Sequence, residues 1–248
     1  MLSIVRWEID LRDYLLAEEM KLEILRQPND VTCGPTCLHA IYTFYGDDIS
    51  LQQVIAEVSM IENGGTFASL LGSHALERGY AATLYTYNLQ VFDPTWFTSE
   101  VDIQHKLSER LAFKSQRKLK RAISSYLDFI ASGGEVKLQD LTPNLIRKFL
   151  NNSQPILTGL SSTFLYRTVR EFGPKDEEDD IRGEPTGHFV VLSGYDHENR
   201  EVLVNDPLYD NPYSHDHQYH VSIYRLISAI LIGVLTYDGN LLIIEPKE

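Results

Sequence analysis

Cysteine is scarce in this chain: the only two, Cys33 and Cys37, stand four positions apart, too close to staple distant parts of a secreted fold. A reducing, cytoplasmic compartment is therefore expected, where a free thiol stays available for chemistry. Positive charge is also short, with 22 Lys and Arg against 35 Asp and Glu and a formal net charge of −13. Such a balance repels phosphate backbones and anionic lipid, which argues against nucleic acid or a membrane surface as a partner. Long apolar runs are lacking too. The longest, 226 to 235, is broken by Ser228 and Gly233 and falls far short of the roughly 20 residues a spanning helix needs. Arg6, Glu8, Asp10, Arg12 and Asp13 occupy positions where a secretory signal requires uninterrupted apolar residues. No internal repeat or low-complexity tract is visible.

What is present describes a soluble globular protein: 43% apolar residues, 23% charged, and length enough to bury one large core. A single domain over 1 to 248 is expected. Residues 1 to 26 carry a loose helical stripe of Leu11, Leu15, Leu16, Met20 and Leu22. The turn-rich QPNDVTCGPTC then leads into LHAIYTFYG, where apolar residues recur at helical spacing before Gly46. Two more helices are expected, one capped at Ser50 and one ending near Gly79, followed by a strand in AATLYTYN. Residues 90 to 138, charged and helical in pattern between Asp93-Pro94 and Gly133-Gly134, read as a helical insertion. Its basic run Lys114, Arg117, Lys118, Lys120 and Arg121 reads as a solvated helix face, with an anionic partner as the sharper alternative.

Thr142 and Pro143 start a further helix, and a short buried strand follows Pro155. Residues 174 to 184 hold five consecutive acids and read as a mobile flap loop. Next come two apolar strands, HFVVLSGYD and VLVNDP, joined by HENRE as a buried hairpin. A helix near 221 to 232 and a strand NLLIIEP close the chain.

A thiol attacks a carbonyl only as thiolate, so a nucleophilic cysteine needs surroundings that favour the anion. Cys33 sits where a turn meets a helix, so that unpaired N–H groups and the helix dipole face it; Gly34 leaves room for a substrate backbone, and Pro35 suits a first turn. Cys37, one turn deeper, reads as a core residue. Of eight histidines, His188 opens an apolar strand after Thr186-Gly187, at a sheet rim where it can reach the thiol as base. Asp206 ends the neighbouring strand and can fix the imidazole tautomer; Asn205 points to the opposite face and is the weaker candidate. Gln27 can add its amide to the Cys33 N–H as an oxyanion hole. The segment HDHQYH, with His215, His217 and His220, matches no strong zinc spacing and reads as a polar surface loop. No cofactor or metal is expected.

QPNDVTCGPTCL followed far downstream by GHFVVLSGYD and VLVNDP resembles the C39 peptidase group of the papain-like cysteine protease superfamily. The resemblance covers about 24 to 88 and 142 to 208. It implies an α+β papain-like fold, with an N-terminal helical part carrying the cysteine helix packed on a C-terminal antiparallel sheet that carries His and Asp. It also implies Gln27 in the oxyanion hole, Cys33 as nucleophile, His188 as base and Asp206 as its partner. Relatives joined to ABC transporters cut leader peptides after a Gly-Gly pair; this chain shows neither a membrane domain nor an ATPase, so that specificity is not carried over. The expected function is hydrolysis of a peptide or protein amide through a thioester. Acyl transfer by the same triad and a non-catalytic peptide-binding module are the alternatives. Oligomeric state is not legible.

Overall fold

The computed structural model of the chain describes residues 19 to 61 and 64 to 247. Helix α1 (Cys33–Phe44) follows the turn-rich segment, and Gly46, at φ 77°, provides the left-handed stop that ends the helical run. Helix α2 (Leu51–Glu57) is capped by Ser50, whose side chain accepts from the Gln53 amide, and α3 (Ala68–Glu77) runs into β1 (Tyr80–Thr86). Within 90 to 138 lie α4 (Ile103–Phe113), α5 (Arg117–Ala131) and the short strand β2 (Glu135–Lys137). Helix α6 (Pro143–Leu150) is capped by Thr142, and β3 (Ile156–Ser161) passes directly into α7 (Ser162–Tyr166).

The second half supplies most of the sheet. A small hairpin of β4 (Glu171–Phe172) and β5 (Glu177–Glu178) precedes β6 (Gly187–Asp196), β7 (Glu201–Asn205) and β8 (Gln218–Ser222). Helix α8 (Ile223–Ile232) and β9 (Asn240–Pro246) finish the fold. Seven strands form one sheet in the order β2-β1-β9-β3-β6-β7-β8, antiparallel except for β1 with β2.

Strand alternation explains why helices cover both faces. Leu157, Phe189, Val191, Leu242 and Ile244 meet α1, α3 and α5 on one side; Ile156, Val190, Leu192, Val204 and Ile243 meet α6 and α8 on the other. Each fully buried aliphatic side chain contributes about 1.5 to 3 kcal/mol. The expected strand in AATLYTYN, here β1, joins this sheet and with β2 extends its far edge. The register brings the C-terminal ends of β3 and β7 beside the N-terminal ends of β6 and β9. Loops of four strands therefore converge on one end of the sheet, where α1 begins.

The expected helix over 1 to 26 fails where it can be seen. Residues 19 to 26 have no regular structure, and the remainder of that stretch lies outside the described residues. A register irregularity between Leu192 and Gly194 leaves the Ser193 carbonyl to accept from the Met20 amide, so a sheet contact replaces the helical turn. Met20 and Leu22 bury their side chains all the same. No helix among the described residues is long and apolar enough to cross a membrane.

Candidate active site

Cys33 is the first residue of α1 and is 9% exposed. As a first-turn residue its amide has no acceptor one turn back in the helix, so it remains available at the helix N-terminus. The thiol stands close enough to the His188 ring to raise its pKa. His188 Nε2 stands 2.8 Å from Asp206 Oδ1, which leaves Nδ1 as the ring nitrogen not taken by Asp206. The structure thus pairs His188 with Asp206 and sets the Cys33 thiol beside that pair.

Asp206 is fully buried and holds a dense set of donors. Oδ1 also accepts from the Leu208 amide at 2.9 Å; Oδ2 accepts from Tyr219 Oη at 2.8 Å and from Tyr166 Oη. Burial alone would raise its pKa, but the charge and hydrogen bond of His188 and the other donors hold it below the usual carboxylate range. Burial likewise works to lower the His188 pKa, and Asp206 and the thiol outweigh it, raising the imidazole to about 10. Both shifts describe one charged pair. Burial first, then the Tyr219 phenol and the Asp206 carboxylate, push Tyr166 far up; burial and Asp206 do the same to Tyr219 against a hydrogen bond with Tyr166, so both stay protonated donors.

Gln27 lies in the turn segment just before α1. Its Nε2 donates to the Asn29 carbonyl at 3.0 Å, its Oε1 is buried without a partner, and it lines a separate cavity with Arg26, Tyr209 and Asp210. Gly34 stands where α1 comes close to the core. A Cβ there would lie 2.7 Å from Thr66 Cγ2 and 3.3 Å from Phe189 Cδ2, so the glycine lets α1 press onto the core. Cys37 is fully buried, its thiol donates to the Phe189 carbonyl at 3.2 Å, and burial raises its pKa well above the ordinary value. Asn205 faces away from the site, bonding Ser193, Gln218 and the Val191 carbonyl.

The histidines of HDHQYH part ways. His217 Nδ1 lies 2.7 Å from the Asp206 carbonyl, His220 pairs with Glu19 at 3.0 Å, and His215 stays exposed near Asp210. Part of this stretch is strand β8 rather than loop, because its backbone pairs with β7. The residue in it that reaches the site is Tyr219, which spacing arguments about histidine pass over. Tyr166 and Asp238 are equally unmarked in sequence; a Tyr-Asp-Gly turn is the sole hint for the latter. Arg167, His217 and Tyr237 hold positive φ angles of 61°, 68° and 72°, so backbone strain gathers beside these same groups. Of the basic run, Arg117, Lys118, Lys120 and Arg121 border a groove of about 850 Å³ next to the cleft, and Lys118 stands over the Tyr237 ring.

The sequence profile of the Peptidase_C39 like family matches residues 20–228. Among curated proteins none matches. Solved structures similar to this chain include a double glycine motif protease from an AMS/PCAT transporter in complex with the leader peptide, 14% identical over 92% of this chain and 94% of that one, TM-score 0.44. The peptidase domain of Streptococcus ComA, a bifunctional ABC transporter involved in quorum sensing, is 14% identical over 91% and 99%, TM-score 0.45. A C39-like peptidase from Bacillus anthracis is 15% identical over 92% and 97%, TM-score 0.47. With more than four fifths of its length matched by that one profile, the chain belongs to the Peptidase_C39 like family.

Proposed function

We propose that this cysteine peptidase works through a Cys33 thiolate, with His188 as its proton acceptor and donor and Asp206 as the group that orients and charges His188. The observation that supports the reading is the buried His188–Asp206 hydrogen bond of 2.8 Å, with Cys33 beside it at a helix N-terminus and acting on the imidazole's pKa. The thiolate adds to a peptide carbonyl, forming a C–S bond and an oxyanion. His188 gives its proton to the leaving amine as the C–N bond breaks, leaving a thioester on Cys33. Water then attacks the thioester, losing a proton to His188, and the thiolate leaves with the acyl product freed as an acid.

The Cys33 amide is one oxyanion donor in this scheme. Gln27 supplies the other: one Nε2 hydrogen is anchored on the Asn29 carbonyl, and the second N–H is free to turn to the oxyanion. Peptide or protein is the substrate class, and the assembled triad favours hydrolysis over a binding module that has lost its chemistry. The test is to digest a denatured protein mixture with the wild-type chain and with Cys33→Ala, and to sequence new termini by mass spectrometry. New termini from the wild type alone support the reading. Termini that persist in Cys33→Ala, or none from either protein, contradict it.

A further inference from the structure

A cavity of about 340 Å³ opens beside Cys33, and its walls carry five carboxylates, Asp30, Glu171, Asp176, Glu184 and Asp238, against a single lysine, Lys118. Four of these are rim groups whose charge water and salt can screen. Asp238 differs in being 6% exposed. Its Oδ2 accepts from Thr236 Oγ1 at 2.6 Å, its Oδ1 takes no hydrogen bond among the described residues, and no ion pair there neutralises it.

Room for this carboxyl is built into two strands. A Cβ on Gly187 would stand 2.2 Å from Oδ2, and one on Gly159 would stand 2.9 Å from Oδ1. The glycines belong to neighbouring strands, β6 and β3, and Gly187 immediately precedes His188. A carboxyl serving only to close the Tyr-Asp-Gly turn would gain nothing from this slot, since a solvent-facing side chain caps a turn as well. Placing an acid in a dry slot facing the nucleophile's cavity costs free energy unless a cation arrives.

Resting on the peptidase reading above, we infer that Asp238 is a specificity-determining residue that makes the cleft select substrates presenting a lysine or arginine side chain beside the bond attacked by Cys33. Burial pushes the Asp238 pKa up to about 7, opposed by Thr236, Lys118 and His188. The charged and titratable groups that face it are Lys118 and Tyr126 on α5 and His188 on β6. A bound substrate cation would draw its proton off and complete the ion pair. The rim carboxylates act at longer range, concentrating cationic segments before they dock.

Peptidyl vinyl sulfones test this directly, since addition of Cys33 to the vinyl group is read as an intact-mass increment. One set carries lysine, norleucine or glutamate next to the vinyl group, and a second carries them one residue further out. In the wild type, lysine should react at least about tenfold faster than norleucine at one of the two positions, with glutamate slowest. The preference should survive about 0.5 M salt, which screens rim carboxylates far more than a buried one. In Asp238→Asn the lysine to norleucine ratio should fall close to one. Each ratio is taken within one protein, so a general change in thiol reactivity cancels. Equal rates in the wild type overturn the inference without any variant, so a poorly folding Asp238→Asn chain cannot shelter it. A lysine preference retained in Asp238→Asn overturns it as well and hands selectivity to the rim. Failure of the peptidase reading is separate: Cys33 would then react with iodoacetamide no faster than free cysteine.

Discussion

Asp206 engages both carboxylate oxygens with donors, from His188, the Leu208 amide, Tyr219 and Tyr166, and this arrangement does two jobs. It keeps the carboxylate ionised in a fully buried site, and it fixes the direction from which His188 is held. Asp206→Asn removes the charge and presents an amide whose tautomer demands conflict with the imidazole. A fall in kcat of about 10³ to 10⁴ with little change in KM is expected, by analogy with triads in which the same exchange was made. His188, raised to about 10 by Asp206 against its burial, should keep its proton across neutral pH and lose it only in alkali. The alkaline limb of kcat/KM is therefore expected near pH 10, and Tyr219→Phe should move it up, because an Asp206 carboxylate with one donor fewer acts more strongly on the imidazolium. A limb that stays in place in Tyr219→Phe would remove the phenol from the electrostatic account.

At the scale of elements, the glycine in β6 makes the sharpest claim. Gly187→Ala puts a methyl group 2.2 Å from the Asp238 carboxyl and 2.7 Å from Thr236 Oγ1, a clash worth about 1 to 3 kcal/mol of stability. Urea unfolding of Gly187→Ala, Asp238→Ala and the double variant checks this. The double variant should recover much of the loss, whereas strictly additive costs would show that the carboxyl is not the obstacle. The elements that carry Cys33, His188 and Asp206 are legible in sequence, because periodicity, the Ser50 and Thr142 caps and the hairpin turn all act locally. Residues 19 to 26 mislead because Met20 and Leu22 satisfy a helical stripe and an extended contact with the β6 irregularity equally well. The short β2, β4, β5 and β8 and the two phenols on Asp206 depend on tertiary pairing, which no spacing along the chain encodes.

Across the whole molecule, the buried titratable groups set opposing pH demands. Asp238, raised to about 7, binds its proton more tightly folded than unfolded, so stability falls as pH rises from the ordinary carboxylate range through about 7. His188 works in the same sense at higher pH, its contribution present below its unfolded pKa and lost as pH rises through about 10. Asp206, lowered on folding, contributes above its unfolded pKa and is lost as pH falls through its folded one. Asp238→Asn should thus be more stable than the wild type at pH 8, by at most about 1.4 kcal/mol for each tenfold by which folding tightens proton binding at Asp238, and this gap should close toward pH 4. A gap independent of pH would contradict a buried acid at this position. The central claim is that Cys33 is an activated thiol while Cys37 is an inert core residue, and the most direct measurement is a time course of intact-mass labelling with iodoacetamide near neutral pH, with the adduct located by peptide mapping. The account predicts a single fast adduct on Cys33, faster than free cysteine and slowed by Asp206→Asn, with Cys37 silent while the fold holds. Equal labelling of both cysteines, or labelling of Cys37 first, would contradict it.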